Sequence, residues 1–260
     1  MSRKRLLIRT INDLRRRYRQ LGSGDVVIGV LALRPGEEIK VLDLAERGVA
    51  FFPPVLAQLL GRSKVAQAEV LGDYMVPGTF VAYSLADLAG KLPEFQAREA
   101  VGAKRDRAHL GLGISLWPSL ETLYSLAGLQ GLTYPLVMQP LVPDARDLRV
   151  VALADYVEAY ERVNPHSFRK NLFQGGSSQP AALTPAQQNF CRQVMARGRF
   201  PYAILDLLLD PRDGRPYLSE ISFKGGLTGA RLSQAEFHRR VAALEEDFIH
   251  QWENSSKTRP

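Results

Sequence analysis

The sequence contains one cysteine, Cys191, among 260 residues, so no intramolecular disulfide can form. A lone thiol is typical of a reducing compartment, and we expect a cytoplasmic protein. Cys191 lies in an expected helix without a neighbouring histidine, which favours a buried, inert thiol over a nucleophile. No apolar run approaches the about 18 residues of a membrane span, and the apolar stretch 6–8 is too short for a secretion signal.

Several catalytic signatures are also missing. The four histidines show no H-x-x-x-H spacing and the chain has no C-x-x-C, which argues against a zinc site. Neither a G-x-x-x-x-G-K-[ST] phosphate loop nor a G-x-S-x-G nucleophile elbow occurs. Any nucleotide or acyl chemistry must therefore be carried by a different arrangement of residues.

The excess of positive charge is confined to the N-terminus. The net charge is +7, and residues 1–19 alone hold eight Lys or Arg and one acid, so the remainder is formally neutral. The high isoelectric point therefore describes an N-terminal helix and says nothing about a basic catalytic domain. Residues 3–19 could contact nucleic acid or an acidic protein. We favour a solvated helix face, because no aromatic stacking platform or base-reading motif accompanies them.

The stretch 203–226, AILDLLLDPRDGRPYLSEISFKGG, predicts a β-hairpin. Ala203–Leu209 is apolar except for Asp206, a turn cluster follows, and Arg215–Ser222 returns with Glu220 near its end. Two carboxylates facing each other on antiparallel strands have Cβ atoms about 5 Å apart. That spacing suits a hard cation such as Mg²⁺, whose other ligands are nucleotide phosphates. The alternative is that both acids lie on the solvent face of an edge hairpin.

The rest of the chain alternates between helix and strand patterns, with capping residues at several helix starts. Helices are predicted over 8–19, 63–71 and 118–128 and after Ser84, Thr184 and Ser233; strands over 26–33, 79–83, 134–139, 148–154 and 157–162; and a polar loop over 174–180.

Four clusters before the hairpin carry groups that bind anions. They are Lys64 at a helix start, Lys104 followed by Gly111 and Gly113, Asp147-Leu148-Arg149, and Phe168–Asn171 followed by Gly175-Gly176. Arginine binds phosphate or carboxylate bidentately, lysine supplies a point charge, and glycine loops bring backbone N–H groups to a polyphosphate. Asp147 and Arg149 face the same side of a strand. Each cluster alone is equally compatible with an ordinary cap, turn or surface ion pair.

Taken in this order, the clusters resemble the ATP-grasp enzymes, and among them the RimK and glutathione-synthetase branch of carboxylate–amine ligases. The resemblance covers residues 62–229 and rests on Arg62–Lys64, Lys104, His109–Ile114, Val137–Val142, Asp147–Arg149, Phe168–Leu172 with Gly175-Gly176, Asp206 and Glu220–Ser222. It implies a mixed α+β and α/β architecture, in which two α+β lobes clasp ATP after a short α/β lobe. The implied divisions are 1–61, 62–142 and 143–260, the last including the C-terminal helix.

The resemblance also implies roles for single residues. ATP would be bound by Lys64, Lys104, Gly111, Gly113, Asp147 and a hinge of Gln139, Pro140, Leu141 and Val142, whose backbone reads adenine. Mg²⁺ or Mn²⁺ would be bound by Asp206, Glu220 and Ser222. The transferred phosphoryl group would be steadied by Arg149, Arg169 and Asn171. Ser222 departs from the family's asparagine, and its shorter side chain weakens the expectation of a second metal ion.

The implied function is an ATP- and Mg-dependent ligase that forms an amide through an acyl phosphate. Its partners would be ATP, a small-molecule or peptide carboxylate and an amine, and a homo-oligomer is compatible with the sequence. Two alternatives stay open. One is a small-molecule kinase of the same fold, and the other is a nucleotide-binding regulatory protein with weakened catalysis, which Ser222 supports.

Overall fold

The computed structural model describes residues 4–95, 99–108, 113–164 and 175–254. The chain forms two compact units. The first comprises residues 1–59, 199–202 and 232–260, and the second comprises residues 60–198 and 203–231. The C-terminal helix thus packs with the N-terminal residues, whereas the sequence grouped it with residues 143–231. The assignment of lobes with boundaries at 61 and 142 stays a prediction.

The first unit is built on a small parallel sheet in the order β1-β2-β3. Its elements are β1 (Leu7–Ile8), α1 (Ile11–Arg17), β2 (Val26–Ile28), α2 (Glu38–Glu46), β3 (Ala50–Phe52), most of α3 (Val55–Leu60) and α8 (Gln234–Asn254). The strand expected over 26–33 ends at Ile28, because Gly29 has a φ of +94°. Beyond it, the N–H of Leu31 donates to the Gln58 side chain instead of a strand.

The C-terminal helix α8 is held to this unit by aromatic contacts. The rings of Phe52 and Phe248 have centroids 5.0 Å apart, and the indole N–H of Trp252 donates to the carbonyl of Gly24 at 3.0 Å. The helix begins where predicted, since Ser233 Oγ accepts from the N–H of Glu236 at 3.1 Å. Among the basic residues of the N-terminal segment, Arg15 is paired with an acid. Its guanidinium forms two hydrogen bonds with the Glu37 carboxylate, at 2.6 and 2.9 Å.

The second unit contains two antiparallel sheets. The first sheet has the order β4-β7-β5-β6. Its strands are β4 (Phe80–Ala82), β5 (Val101–Arg105), β6 (Ile114–Trp117) and β7 (Leu136–Pro140), and its helices are α4 (Lys64–Leu71), α5 (Leu85–Lys91) and α6 (Leu120–Gln130). Ala103, Leu123 and Met138 belong to one core cluster on the face that α6 covers. Residues at odd and even positions of β5 therefore face opposite sides of the sheet.

The second sheet has the order β10-β9-β8-β11-β12. Its strands are β8 (Arg146–Leu153), β9 (Tyr156–Val163), β10 (Ser177–Ala181), β11 (Tyr202–Leu209) and β12 (Pro216–Ser222), and α7 (Pro185–Gly198) precedes β11. The helix α7 has the expected capping box, with Thr184 Oγ1 accepting from Gln187 N and Gln187 Oε1 accepting from Thr184 N.

The polar loop predicted over 174–180 is wrong in its second half. Residues Ser177–Ala181 form β10, in which Pro180 lies opposite Tyr160 of β9. Proline is tolerated here because β10 is the edge strand of its sheet, where a missing N–H leaves no partner unsatisfied. Polar composition indicated solvent exposure correctly, and exposure at an edge does not prevent strand pairing. In the described part of the chain, no helix is long and apolar enough to span a membrane.

Candidate active site

The hairpin predicted around Asp206 and Glu220 is present as β11 and β12. Asp206 and Glu220 are register partners, with a β-bulge between Asp206 and Leu207. Partners in register direct their side chains to the same face, so the two carboxylates share one side of the sheet. Their side chains are 16% and 33% exposed, and both form ion pairs. The alternative of two solvated acids on an edge hairpin therefore does not describe this pair.

Asp206 is bound by two arginines, Arg149 on the adjacent strand β8 and Arg162 on the next strand, β9. Arg149 Nε and Nη2 donate to its two carboxylate oxygens at 2.7 and 2.8 Å, and Arg162 Nη2 lies 3.2 Å from Oδ2. Burial alone would raise the pKa of Asp206, but the charges of Arg149 and Arg162 outweigh it and lower this pKa. The carboxylate is thus held ionised, which a metal ligand requires.

Asp147 is paired with an arginine of the same charged cluster. Arg162 Nη2 and Nε lie 2.6 and 2.7 Å from Asp147 Oδ1, so one guanidinium bridges Asp147 and Asp206. Burial raises the pKa of Asp147, and the charge of Arg162 opposes that rise. As expected, Asp147 and Arg149 belong to one charged cluster. Within it, Asp147 pairs with Arg162, whereas Arg149 pairs with Asp206.

Sequence reasoning missed Arg162, although a signal was present. A two-residue turn, Ala154-Asp155, joins β8 to β9, and Ala154 has a φ of +51°. Counting outward from this turn places Asp147 directly opposite Arg162, which is the observed register. The pair was overlooked because Glu161-Arg162 in sequence is typical of an exposed, charged strand end.

Two buried lysines lie on the other side of the carboxylate pair. Lys64 Nζ donates to Glu220 Oε1 at 3.1 Å and to the carbonyl of Ala108 at 2.8 Å. Lys104 Nζ donates to the carbonyl and Oγ of Ser219, both at 3.3 Å. Burial lowers the pKa of Lys104 to about 8, against the opposing charge of Glu220. Both ammonium groups lie beside the acids, and their binding of phosphate stays a prediction.

The cluster therefore contains four cations, Lys64, Lys104, Arg149 and Arg162, and three carboxylates, Asp147, Asp206 and Glu220. One positive charge is in excess, and each side chain is at most one-third exposed. A partly dehydrated site with excess positive charge favours an anionic ligand, because burial strengthens its electrostatic attraction. A polyphosphate that arrives with a divalent ion satisfies both the cations and the acids.

Strand β7, which contains the predicted hinge residues Gln139 and Pro140, carries an unsatisfied buried polar atom. Gln139 in β7 is 4% exposed, and its Oε1 has no hydrogen-bond partner among the described residues. Its register partner on β5 is Gly102, which has no side chain to fill the space beside it. A buried amide oxygen without a donor is costly unless a ligand supplies one. An exocyclic amino group such as that of adenine is a suitable donor.

Two of the other predicted hinge residues, Leu141 and Val142, already use backbone groups in hydrogen bonds within the protein. Pro140 ends β7, and the N–H of Leu141 already donates to the carbonyl of Ala100 at 2.8 Å. The carbonyl of Val142 accepts from Ala145 N at 3.3 Å. Backbone reading of adenine would therefore depend on groups other than the Leu141 N–H. Gly111, Arg169 and Asn171 lie outside the described residues, and Gly113 immediately precedes β6.

Ser222 lies two residues after Glu220 on β12, and its Oγ donates to the carbonyl of Lys224 at 2.7 Å. Its oxygen retains lone pairs, so Asp206, Glu220 and Ser222 offer the all-oxygen donor set that Mg²⁺ prefers. Within the described residues, no three His, Cys, Asp or Glu side chains are grouped as a self-sufficient metal site. The donor set therefore suits a metal ion that also carries phosphate ligands.

The segment after β12 is fixed against the same sheet face. Gly226 O accepts from Tyr160 Oη at 2.9 Å and from Arg149 Nη1 at 3.2 Å. A Cβ at Gly225 would lie 3.1 Å from Ile204 Cδ1 and 3.4 Å from Arg149 Nη1. Glycine at 225 therefore allows this segment to approach Arg149 closely, and Tyr160 was not foreseen from the sequence.

No family model matches the chain. In sequence it is 25% identical over 223 residues to a probable alpha-L-glutamate ligase of Citrobacter koseri, which covers 81% of this chain and 69% of that protein. In structure it is similar to D-alanyl-alanine synthetase A from Vibrio cholerae, with a TM-score of 0.56 and 12% identity over 94% of this chain and 99% of that one. The chain therefore shares its fold with ATP-grasp ligases.

A second structural neighbour is the macrocyclase MdnC of Microcystis aeruginosa, solved with its precursor peptide MdnA. The TM-score is 0.56 and the identity 16%, over 94% of this chain and 100% of that one. The mixed α/β fold expected from the sequence is confirmed, and both relatives are named as enzymes of the ligase or synthetase class that the sequence predicts. The roles of single residues and the bound nucleotide and metal stay predictions.

Proposed function

We propose that this protein is an ATP- and Mg²⁺-dependent ligase that joins a substrate carboxylate to an amine. The observation that carries the proposal is the paired placement of Asp206 and Glu220 among four buried or half-buried cations. Phosphoryl transfer needs positioning and charge neutralisation and little covalent help from the protein, and this cluster provides both.

In the first step, a carboxylate oxygen of the substrate attacks the γ-phosphorus of ATP. The bond from that phosphorus to the β–γ bridging oxygen breaks, leaving an acyl phosphate and ADP. In the second step, the amine attacks the acyl carbon, phosphate leaves and the nitrogen loses one proton. Bound Mg²⁺, held by Asp206 and Glu220 with the Ser222 hydroxyl nearby, would neutralise charge on the phosphates.

The chain's own cations have separate tasks in this scheme. Lys64 and Lys104 approach the carboxylate pair from α4 and β5, and they bind phosphate oxygens as point charges. Arg149 and Arg162 hold Asp206 in the unliganded site, and their forked guanidinium groups suit a phosphoryl group or an acyl phosphate. Gln139 accepts a hydrogen bond from the adenine amino group.

The relatives indicate the chemical class of the substrates but not their identity. The sequence relative is named for a glutamate ligase, and the MdnC structure contains a precursor peptide. We therefore infer a small-molecule or peptide carboxylate as donor and an amine as acceptor. A cytoplasmic location would supply ATP and Mg²⁺ at the required concentrations.

The metal assignment is tested by titrating the full chain with a non-hydrolysable ATP analogue, with and without Mg²⁺. Glu220→Gln removes one charged oxygen ligand, and Glu46→Gln, an exposed acid of α2, is the matched control. We expect Mg²⁺-dependent affinity to fall by at least about tenfold in Glu220→Gln and to be unchanged in Glu46→Gln. Equal Mg²⁺ dependence in all three proteins would refute the metal site.

One observation favours the second candidate, a nucleotide-binding protein with weakened catalysis. The Ser222 hydroxyl donates to the backbone at Lys224, so its short side chain is committed to the following segment. This candidate predicts ATP-analogue binding without ADP release on any pool of carboxylates and amines. Ser222→Asn should then raise ADP release. Detection of an amide product by wild-type protein excludes this candidate, and a phosphorylated product alone indicates a kinase.

A further inference from the structure

The second unit contains a cavity that the proposed chemistry does not use. Its volume is about 280 Å³, and it lies between strands β5 and β6 and the helix α6. Residues from these elements, from the segment before β7 and from the start of β7 line it, among them Ala103, Arg105, Trp117, Leu123 and Leu136. This volume is slightly below the usual range for small-molecule sites and accommodates a ligand of about ten non-hydrogen atoms.

The cavity opens on the opposite face of β5 from the nucleotide cluster. Ala103 and Arg105 line it, whereas Lys104, between them, directs its ammonium group to Ser219. Side chains alternate along a strand, so a ligand in the cavity does not contact Lys104 directly. The register supports this separation, because Ser115 and Trp117 lie opposite Ala103 and Val101. The cavity and the nucleotide site are therefore two places on one sheet.

The lining combines an apolar interior with polar groups. Leu123 and Leu136 are 1% and 5% exposed, and with Trp117 they form an apolar wall. The Trp117 indole N–H donates to Ser115 Oγ at 2.9 Å, which leaves the serine proton free to donate to a ligand. Thr133 adds a second hydroxyl to the lining.

Arg105 is the charged residue of this lining and lies at its exposed margin. Among the described residues, no carboxylate lies within ion-pair distance of its guanidinium group. Gly113 is the strand neighbour of Arg105, and a Cβ there would lie 3.4 Å from the Arg105 Cβ and collide with Ala108. Glycine at 113 therefore leaves the space beside Arg105 free of a side chain.

We propose that this cavity binds a small monocarboxylate with an aromatic or branched apolar body, separately from ATP and the ligase substrates. The apolar body packs between Trp117, Leu123 and Leu136. The carboxylate lies at the margin, where it accepts from the Arg105 guanidinium and the Ser115 hydroxyl. Within the described residues the Arg105 guanidinium has no ion-pair partner and the Ser115 proton has no acceptor, and this combination favours an anion over a neutral ligand.

The test uses the full chain without nucleotide and phenylacetate as the probe, with binding measured by titration in two-dimensional NMR. We expect saturable shifts that include the indole N–H of Trp117. The affinity for phenylacetate should fall by at least about tenfold in Arg105→Gln and should be unchanged in Arg192→Gln, an exposed arginine of α7. Phenylacetamide, which lacks the charge, should bind wild-type protein as weakly as phenylacetate binds Arg105→Gln.

A second variant tests the cavity itself. Ala103→Leu places additional methyl groups in the empty space and should abolish phenylacetate binding while an ATP analogue still binds. If Ala103→Leu does not fold, Ser115→Val removes one polar contact with little change in volume and should weaken binding severalfold. The absence of saturable shifts up to 10 mM phenylacetate, about the weakest affinity worth assigning to such a site, overturns the proposal. An affinity for phenylacetate that is unchanged in Arg105→Gln also overturns it. None of these measurements depends on the ligase reaction.

Discussion

Asp147 and Arg162 face each other across the β8–β9 hairpin, with Arg162 Nη2 2.6 Å from Asp147 Oδ1. The same nitrogen lies 3.2 Å from Asp206 Oδ2, so Arg162 connects carboxylates on two strands. Asp206 in turn is the register partner of Glu220. The proposed metal-binding acid is thus positioned by a residue that no motif suggested.

Replacing Arg162 should therefore affect stability as well as nucleotide binding. Arg162→Gln leaves Asp147 buried with one fewer cation, and we expect the free energy of unfolding to fall by about 3 kcal/mol. Adding Asp147→Asn should restore part of this loss, because the uncompensated charge is removed. Urea denaturation of the two single variants, the double variant and wild type measures the coupling. Additive single effects would show that the two side chains are energetically independent.

Nucleotide affinity should depend on pH through Lys104. Burial lowers its pKa to about 8, so the ammonium group is charged below this pH and becomes neutral as pH rises through it. Affinity for an ATP analogue should therefore decline between about pH 7.5 and 9, and binding near pH 8 should take up protons. Calorimetry in buffers of different ionisation enthalpy measures that uptake.

Lys104→Arg is the matched variant for this prediction. Arginine stays charged throughout this range, so the decline in affinity and the proton uptake should both disappear. The pKa of the unfolded lysine is higher than that of Lys104 in the folded protein, so the native lysine loses its proton first on alkalinisation. An identical pH profile in wild type and Lys104→Arg would assign the titration to another group.

Filling the space beside Gln139 should block the nucleotide without unfolding the protein. A Cβ at Gly102 would lie 3.7 Å from Gln139 O, an ordinary contact distance. Gly102→Val therefore fits the strand and should retain the wild-type melting temperature within a few degrees, about the shift expected for 1 kcal/mol or less. We expect the affinity for an ATP analogue to fall at least about tenfold. Gly90→Ala, on α5, is the control, since no neighbouring atom approaches a Cβ there.

The single thiol should be inert in the folded protein. Cys191 is 3% exposed in α7, and burial raises its pKa to about 12. Reaction with Ellman's reagent at pH 8 should be at least about a hundredfold slower in native protein than in urea, because the thiolate is scarce and inaccessible. Rapid, complete modification of native protein would contradict this placement.

Local sequence patterns predicted the parts of the fold that depend on neighbouring residues. The capping residues Ser63, Thr184 and Ser233 begin helices as expected, because each cap uses atoms within three residues. The hairpin that carries Asp206 and Glu220 was predicted as well, but the β-bulge that pairs Asp206 with Glu220 instead of Ser219 was not. The edge strand β10 was missed, because its pairing depends on β9 and not on its own composition.

The sequence by itself determined the hairpin, its two acids, the helix starts and the likeness to ATP-grasp ligases, since these are patterns of residue type at short spacing. Only the tertiary structure decided which cation neutralises which acid. Arg149 and Asp206 are 57 positions apart in sequence, and Lys64 and Glu220 are 156 apart. Contacts at such separations arise when strands and helices pack against each other, and the cost of burying an unpaired charge selects the partner.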